Sequence, residues 1–245
     1  SKKMKQFKFL TPLAVGVSMT ALLFSCNPGE EKKAEEPAKD TTSAKAPEPP
    51  AAPAKPVNLM TVIAKVANFQ KWLPDYESHD SIRQSFGLHN FSIARGVKDS
   101  NMVMVVLRMD DAVKAKEFAA SPDLKARMKK GGVVGAPELS FLDMQMLDMT
   151  PSTSTRVLVK HKIKDWDAWK KVFDADKPNR TNAGLTDRAL GYEAGDNHMV
   201  SMVFLVSDMK KADDFSKSEA LKKKMEEAGV EGPPTFFYYT VTKKY

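Results

Sequence analysis

Apolar and polar positions follow the same order twice between residues 58 and 245. In each half, a run of alternating residues is followed by a segment with an apolar stripe at helical spacing. Two more strand-like runs, a second helical region and a last strand then follow. This order is β-α-β-β-α-β, the ferredoxin-like unit. The predicted strands are Leu59–Val66, Leu88–Gly96, Met102–Met109 and Glu138–Leu147, and then Val157–Ile163, Leu185–Glu193, Met199–Val206 and Thr235–Thr242.

The first helical region of each half has recognisable ends. Asn68 and Asp165 each stand directly before an apolar stripe, where a short polar side chain can accept a backbone N–H bond and cap the helix. Gly87 and Gly184 are placed to end it. We expect one helix between each pair of signals.

The two halves are copies of one sequence. The segment SPDLKARMKKGGVVGAPELSF (121–141) returns as SEALKKKMEEAGVEGPPTFFY (218–238). The same shift of 97 positions pairs Trp72 with Trp169 without a gap. Internal repetition of this kind means one structural unit used twice. We therefore divide the folded region into repeat 1 (58–150) and repeat 2 (151–245).

Each predicted sheet has helices on one face only, so its other face needs a cover. The residues expected on that second face are mostly apolar, and packing the two faces together would bury them. They are Met102, Met104, Val106, Met144 and Met146 in repeat 1, and Met202, Phe204, Phe236 and Tyr238 in repeat 2.

Four short motifs of repeat 2 point to a known group. W..V, R..AGL, VFLVSDMKKADDF and KKKMEEAGVEGPP resemble the antibiotic-biosynthesis-monooxygenase-like group of the dimeric α/β-barrel superfamily. The resemblance covers about 58–245. It implies an α+β fold in which two ferredoxin-like repeats close into one α/β barrel, here as a pseudo-dimer within a single chain.

The first 25 residues have the features of a secretory signal peptide. Four lysines precede a mostly apolar run from Leu10 to Phe24, which is too short to span a membrane. The run ends in LFSC, which resembles a bacterial lipobox, although Phe24 is larger than the usual residue. The resemblance implies that Cys26 carries lipid, such as palmitate, and anchors the protein to a membrane of the bacterial cell envelope. The alternative is an incidental cysteine.

The residue after Cys26 indicates which membrane of the cell envelope holds the protein. Asn27 is not the aspartate that commonly retains lipoproteins in the inner membrane, so we expect the outer membrane, on its periplasmic side or at the cell surface. Residues 26–57 are rich in Pro, Ala, Lys and Glu, as in AKAPEPPAAPAKP, and contain no aromatic residue. Such a segment cannot bury enough apolar surface to fold, so it is predicted to be a disordered tether.

Three residues are candidates for a functional site. His161 lies mid-strand on the same alternation as Val159, and its counterpart in repeat 1 is Ala64. It is either a buried, hydrogen-bonded histidine or an acid/base or haem-contacting group in a cavity. Arg83 and Arg180 recur at one position, where they either stabilise the end of the first helix or form a paired anion clamp. We expect any family-like chemistry in the cavity between the two sheets.

Other chemistries find no support in the residues. His79, His89 and His198 lack metal-ligand spacing, so we predict no metal site. No nucleophile elbow, phosphate-binding loop or dinucleotide fingerprint is present. The net charge of +7 includes the leading lysines, and the remaining charges are interspersed, which makes nucleic acid an unsuitable partner.

Three functions remain open. The first is an envelope lipoprotein whose barrel binds a small apolar ligand or a partner protein without catalysis. The second is an enzyme, either a cofactor-independent monooxygenase or a haem-handling protein, as the resemblance allows. The third is a purely structural scaffold. The sequence identifies no cofactor, and fold alone does not establish activity.

Overall fold

The computed structural model describes residues 57–245. The predicted signal peptide, Cys26 and all of the tether except Val57 lie outside the described residues. The described part is an α+β fold of eight strands and eight helices. The strands are β1 (Asn58–Val66), β2 (Leu88–Gly96), β3 (Met102–Met109), β4 (Val133–Leu147), β5 (Arg156–Ile163), β6 (Leu185–Glu193), β7 (Asp196–Val206) and β8 (Val230–Lys244).

The helices occur in pairs, two pairs to a repeat. They are α1 (Phe69–Ser78), α2 (Asp80–Ser85), α3 (Ala112–Ala120) and α4 (Pro122–Lys130) in repeat 1, and α5 (Trp166–Ala175), α6 (Lys177–Asn182), α7 (Met209–Ser216) and α8 (Glu219–Glu227) in repeat 2.

The predicted helix ends are confirmed, but the prediction of one continuous helix between them is wrong. Asn68 and Asp165 cap α1 and α5 by accepting backbone N–H bonds. Gly184 follows α6 with a φ of +75°, which a side chain would strain. In repeat 2 the break follows from Pro178 in the first turn of α6, because proline has no N–H to continue the ladder of α5.

The last strand of each repeat begins five residues earlier than predicted. Gly132 and Gly229 turn the chain with positive φ, and β4 and β8 start at the next residue. The register between β1 and β4 shifts between Ile63 and Lys65. A bulge of this kind lets a strand carry glycine and proline. The segment VVGAP, at the start of β4, therefore lacks the alternation of apolar and polar residues by which a strand is predicted.

The eight strands close into one antiparallel barrel in the order β1-β3-β2-β8-β5-β7-β6-β4. Within repeat 1 the order is β4-β1-β3-β2, and repeat 2 repeats it as β8-β5-β7-β6. Two further pairings, β2 with β8 and β4 with β6, join the repeats. The predicted closure of two ferredoxin-like repeats into a barrel within one chain is confirmed.

The apolar side chains form three cores. One lies between the sheet and the helices of repeat 1, and a second lies in the same place in repeat 2. The third fills the barrel between the two sheets, and it includes Met104, Val106 and Met144, as predicted.

All four repeat 2 residues assigned to the barrel interior lie elsewhere. Met202 and Phe204 belong to the helix-side core, and Tyr238 packs against it. Phe236 lines the rim of that region and is exposed, as is Met146 of repeat 1. The prediction failed because β7 is apolar on both faces, so its sequence does not indicate which face meets the helices.

Candidate functional site

Repeat 2 contains a small apolar cavity between its sheet and its helices, which we call the helix-side pocket. Its volume is about 110 Å³. Residues of β5–β8 and of α5–α8 line it. Among its lining residues are His161, Trp169, Arg180, Met202, Phe204 and Met225.

His161 is the unusual group of this pocket. It is only 8% exposed, and neither ring nitrogen has a hydrogen-bond partner among residues 57–245. Its ring meets the edge of Trp169 at a centroid distance of 5.7 Å. Burial lowers the pKa of His161 to about 4, because the apolar surroundings disfavour the charged form. At neutral pH it is therefore an uncharged imidazole with one free donor and one free acceptor.

Arg180 borders the same pocket, but its guanidinium is already engaged. It forms a two-pronged ion pair with Asp187, through Nε at 3.0 Å and Nη2 at 2.9 Å. Nη1 donates to the carbonyl oxygen of Phe173, and the group stacks 3.7 Å from the centre of the Phe173 ring. These contacts stabilise the end of α5 and leave little capacity for an external anion.

Repeat 1 has a matching pocket of about 90 Å³ without the histidine, because Ala64 occupies its place. Arg83 donates to the carbonyl oxygen of Tyr76 at 2.7 Å and pairs with Asp80 at 3.2 Å. The Tyr76 hydroxyl donates to Asn90. Burial raises the pKa of Tyr76 well above its usual value.

The structure therefore separates the three predicted site residues. His161 and Arg180 share one pocket, and Arg83 lies in the other. The expectation that they line a cavity between the two sheets is wrong. On β5 the alternation that includes Val157, Val159 and His161 faces the helices, and the opposite alternation faces the barrel interior. Whether any of the three binds a ligand stays a prediction, and Cys26 lies outside the described residues.

A third cavity, of about 190 Å³, lies between the sheets, and we call it the barrel cavity. Sequence reasoning missed four of its polar residues, which are Arg156, Arg188, Ser201 and Tyr239. A signal existed in the repeat alignment: the residues 97 positions earlier are Leu59, Phe91, Met104 and Leu142, all apolar. The positions that are alike in the two repeats indicated the fold. These four positions, which differ between the repeats, indicated the barrel cavity.

Within residues 57–245 there is neither a metal-binding cluster nor a membrane-spanning helix. No cluster of three or more His, Cys, Asp or Glu side chains in this range has the arrangement of a metal site. Within the same range, no helix combines the length and the apolar character needed to cross a membrane.

Comparisons with known proteins identify structures but no sequence relatives. No protein-family model matches the chain, and no curated protein matches it. An anthrone oxidase-like protein superposes with a TM-score of 0.54 at 13% identity, over 78% of this chain and 94% of that chain.

Two further solved structures are more distant. A heme-binding protein from Thermus thermophilus has a TM-score of 0.47 at 10% identity, over 77% of this chain and 92% of that one. A monooxygenase-like protein from Listeria innocua has a TM-score of 0.44 at 8% identity, over 78% and 96% of the two chains. The topology and the likeness to the anthrone oxidase-like protein together show that this chain has the dimeric α/β-barrel fold, closed within one polypeptide.

Proposed function

We propose that this protein is a lipid-anchored protein of the bacterial envelope that binds a small apolar molecule in the helix-side pocket of repeat 2. The observation that carries the binding proposal is His161, whose two buried ring nitrogens lack partners among the described residues. A buried polar group without a partner costs about 1–3 kcal/mol, so a ligand that supplies one hydrogen bond gains that energy on binding.

The size of the pocket limits the ligand. Its volume of about 110 Å³ is below the ~300–1,000 Å³ of sites for drug-sized molecules. It is closer to an engineered apolar cavity of ~150 Å³ that takes up benzene. We therefore propose a ligand with an apolar body no larger than one ring and a single hydroxyl or similar group directed at His161. A haem group is far larger than this pocket.

Binding without catalysis is favoured by the state of the histidine. Groups that transfer protons work best when their pKa lies near the working pH. With a pKa of about 4, His161 is a weak base at neutral pH and serves better as a hydrogen-bonding partner.

The test compares phenol with benzene, since the two differ by one hydroxyl. Binding to the full chain is followed by the ¹³C-methyl signal of Met202, which lines the pocket. We expect phenol to bind at least tenfold more tightly than benzene, and His161→Ala to remove that preference. His198→Ala, which removes an exposed histidine, is the matched control and should keep it. Equal affinity for phenol and benzene in the unaltered protein would contradict the proposal.

The catalytic alternative is an oxygenase, which the name of the anthrone oxidase-like structure suggests. Oxygen uptake in the presence of anthrone tests it. We expect no uptake above the rate without protein. Uptake that depends on the protein and is abolished by His161→Ala would replace the binding proposal with the oxygenase.

The anchor is tested separately. Cys26→Ala is expected to abolish incorporation of labelled palmitate and to move the protein from the membrane fraction to the soluble fraction. Unchanged labelling of that variant would refute lipidation of Cys26.

A further inference from the structure

At four pairs of equivalent positions in the barrel cavity, the two repeats contribute side chains of different chemistry. Repeat 1 contributes an apolar side, which consists of Leu59, Phe91, Met104 and Leu142. Repeat 2 contributes a polar side from the equivalent positions, which consists of Arg156, Arg188, Ser201 and Tyr239. The rest of the lining is mixed, with Thr61, Ser92 and Arg108 from repeat 1 and Leu158, Val203 and Val241 from repeat 2.

Arg188 shows that the polar side is partly prepared. The residue is 4% exposed, and its Nη1 donates to Asp148 at 2.6 Å. Its Nη2 donates to the carbonyl oxygen of Thr150. Asp148 and Thr150 belong to the segment between β4 and β5, which thus fixes the guanidinium from one side. Nε of Arg188 has no partner among the described residues.

Two neighbouring groups also have unused hydrogen-bonding atoms. Ser201 is 3% exposed, and its hydroxyl has no partner within residues 57–245. Nε of Arg156 is buried and equally without one. Burial raises the pKa of Tyr239 to about 12, and the charges of Arg156 and Arg188 oppose this rise.

The charges in the cavity do not balance. Arg108, Arg156, Arg188 and Lys244 line it, and Asp148 is the acidic residue in the lining. Arg108 and Lys244 are exposed to solvent, whereas Arg188 is buried and Arg156 is half-buried. The unsatisfied donors of Arg156, Arg188 and Ser201 are unfavourable away from water, and a bound anion supplies the acceptor that they lack. The apolar side would accept hydrocarbon at the same time.

We propose that the barrel cavity binds a small carboxylate that carries an apolar body. The carboxylate lies against Arg156, Arg188 and Ser201, and the apolar body lies against the side chains of repeat 1. The volume of about 190 Å³ is somewhat larger than that of a cavity that holds one benzene ring, so benzoate is a suitable probe.

The methionines of the chain report where a probe binds. Met104 and Met144 line the barrel cavity, Met202 lines the helix-side pocket of repeat 2, and Met60 lines the pocket of repeat 1. In a ¹³C-methyl titration of the full chain with benzoate, we expect the signals of Met104 and Met144 to move and those of Met202 and Met60 to stay. Movement of Met202 or Met60 alone would overturn the proposal.

Two other probes separate the contributions of the two sides. Benzyl alcohol keeps the ring without the charge, and acetate keeps the charge without the ring. We expect each to bind at least tenfold more weakly than benzoate. Equal binding of benzoate and benzyl alcohol would show that the arginines do not recognise the ligand. Failure of all three probes to shift Met104 or Met144 would mean that water alone satisfies the polar side.

The repeats themselves supply the variants. Arg156→Leu and Ser201→Met install the residues that repeat 1 has at these positions, and each should weaken benzoate binding about tenfold or more. Arg127→Leu, which removes a half-buried arginine outside the barrel cavity, is the matched control for net charge. If Arg127→Leu and Arg156→Leu weaken binding equally, the attraction is a general effect of net charge, and the proposed site is wrong.

The phenol test and the benzoate test address two different sites, so one proposal can fail while the other holds. A response of Met202 to phenol concerns the helix-side pocket, and a response of Met104 to benzoate concerns the barrel cavity. Either result stands whatever the other shows.

Discussion

Each repeat buries one arginine near the end of its first helix, and the two repeats neutralise that arginine differently. Arg83 pairs with Asp80 on α2, whose side chain is 38% exposed. Arg180 pairs with Asp187 on β6, whose side chain is 12% exposed. At the position equivalent to Asp187, repeat 1 has Asn90. Both arginines also donate to a carbonyl oxygen in the last turn of the preceding helix. The comparison teaches that the helix-end contact is the shared requirement, whereas the carboxylate can come from a helix or a strand.

The inner faces of the two sheets also differ in the charged side chains that they carry. On β1 the residues at 59, 61 and 63 are Leu, Thr and Ile, and on β5 their counterparts at 156, 158 and 160 are Arg, Leu and Lys. Lys160 donates to Ser140 at 2.6 Å and to Glu138 at 2.7 Å, both on β4 of the other repeat. Repeat 2 therefore carries most of the charge of the barrel interior.

The largest difference between the repeats is expected from removing the two arginines. Arg180→Leu leaves Asp187 buried and unpaired, so it should lower the free energy of unfolding by about 3–5 kcal/mol. Arg83→Leu should cost less, about 1–3 kcal/mol, because Asp80 can be hydrated. Chemical denaturation measures both, and Asp187→Asn should restore part of the stability of Arg180→Leu. Equal losses in the two repeats would contradict this account.

The second difference is a pH dependence that only repeat 2 should have, through His161. Its pKa is about 4 in the folded protein and near 6.5 in an unfolded chain. The unfolded state therefore takes up the proton first, and stability falls as the pH drops from about 6.5 towards 4. The loss should be roughly 3 kcal/mol.

Unfolding curves at several pH values test this expectation. His161→Ala, which copies Ala64 of repeat 1, should remove this part of the pH dependence, and His198→Ala should retain it. An unchanged slope between pH 6.5 and 4 in His161→Ala would show that another group causes the loss.

The smallest effect is expected from Lys160→Ile, which installs the residue found at Ile63. The variant loses an ion pair with Glu138, which is well exposed and can be hydrated, and leaves the hydroxyl of Ser140 without its donor. We expect a loss of about 1 kcal/mol by thermal or chemical unfolding. A loss as large as that of Arg180→Leu would mean that the charge of Lys160 inside the barrel contributes as much to stability as the buried arginine at the helix end.

The sequence was sufficient for the fold because the relevant signals are local and occur twice. Asn68, Asp165 and the glycines mark helix ends through backbone geometry, and the gapless repeat fixes the element order. The ferredoxin-like units also leave one sheet face to cover, which indicated the barrel.

The cavities were harder to predict for two physical reasons. In β7, Met202 and Val203 are both apolar, so alternation could not indicate which faces the helices. At Arg156 and Arg188 the useful information was a difference between the repeats, whereas the prediction used their similarities. His161 was identified as unusual because Ala64 replaces it in repeat 1, but the face of the sheet on which it lies required the structure.

The position of β8 ties the two repeats into one folding unit. It pairs with β5 of its own repeat and with β2 of the other, and the backbone N–H of Tyr245 donates to the carbonyl oxygen of Phe91. Without β8, the strands β2 and β5 would each present an open edge, and such edges attract other extended chains. A chain that lacks β8 is therefore expected to aggregate rather than to persist as an open barrel.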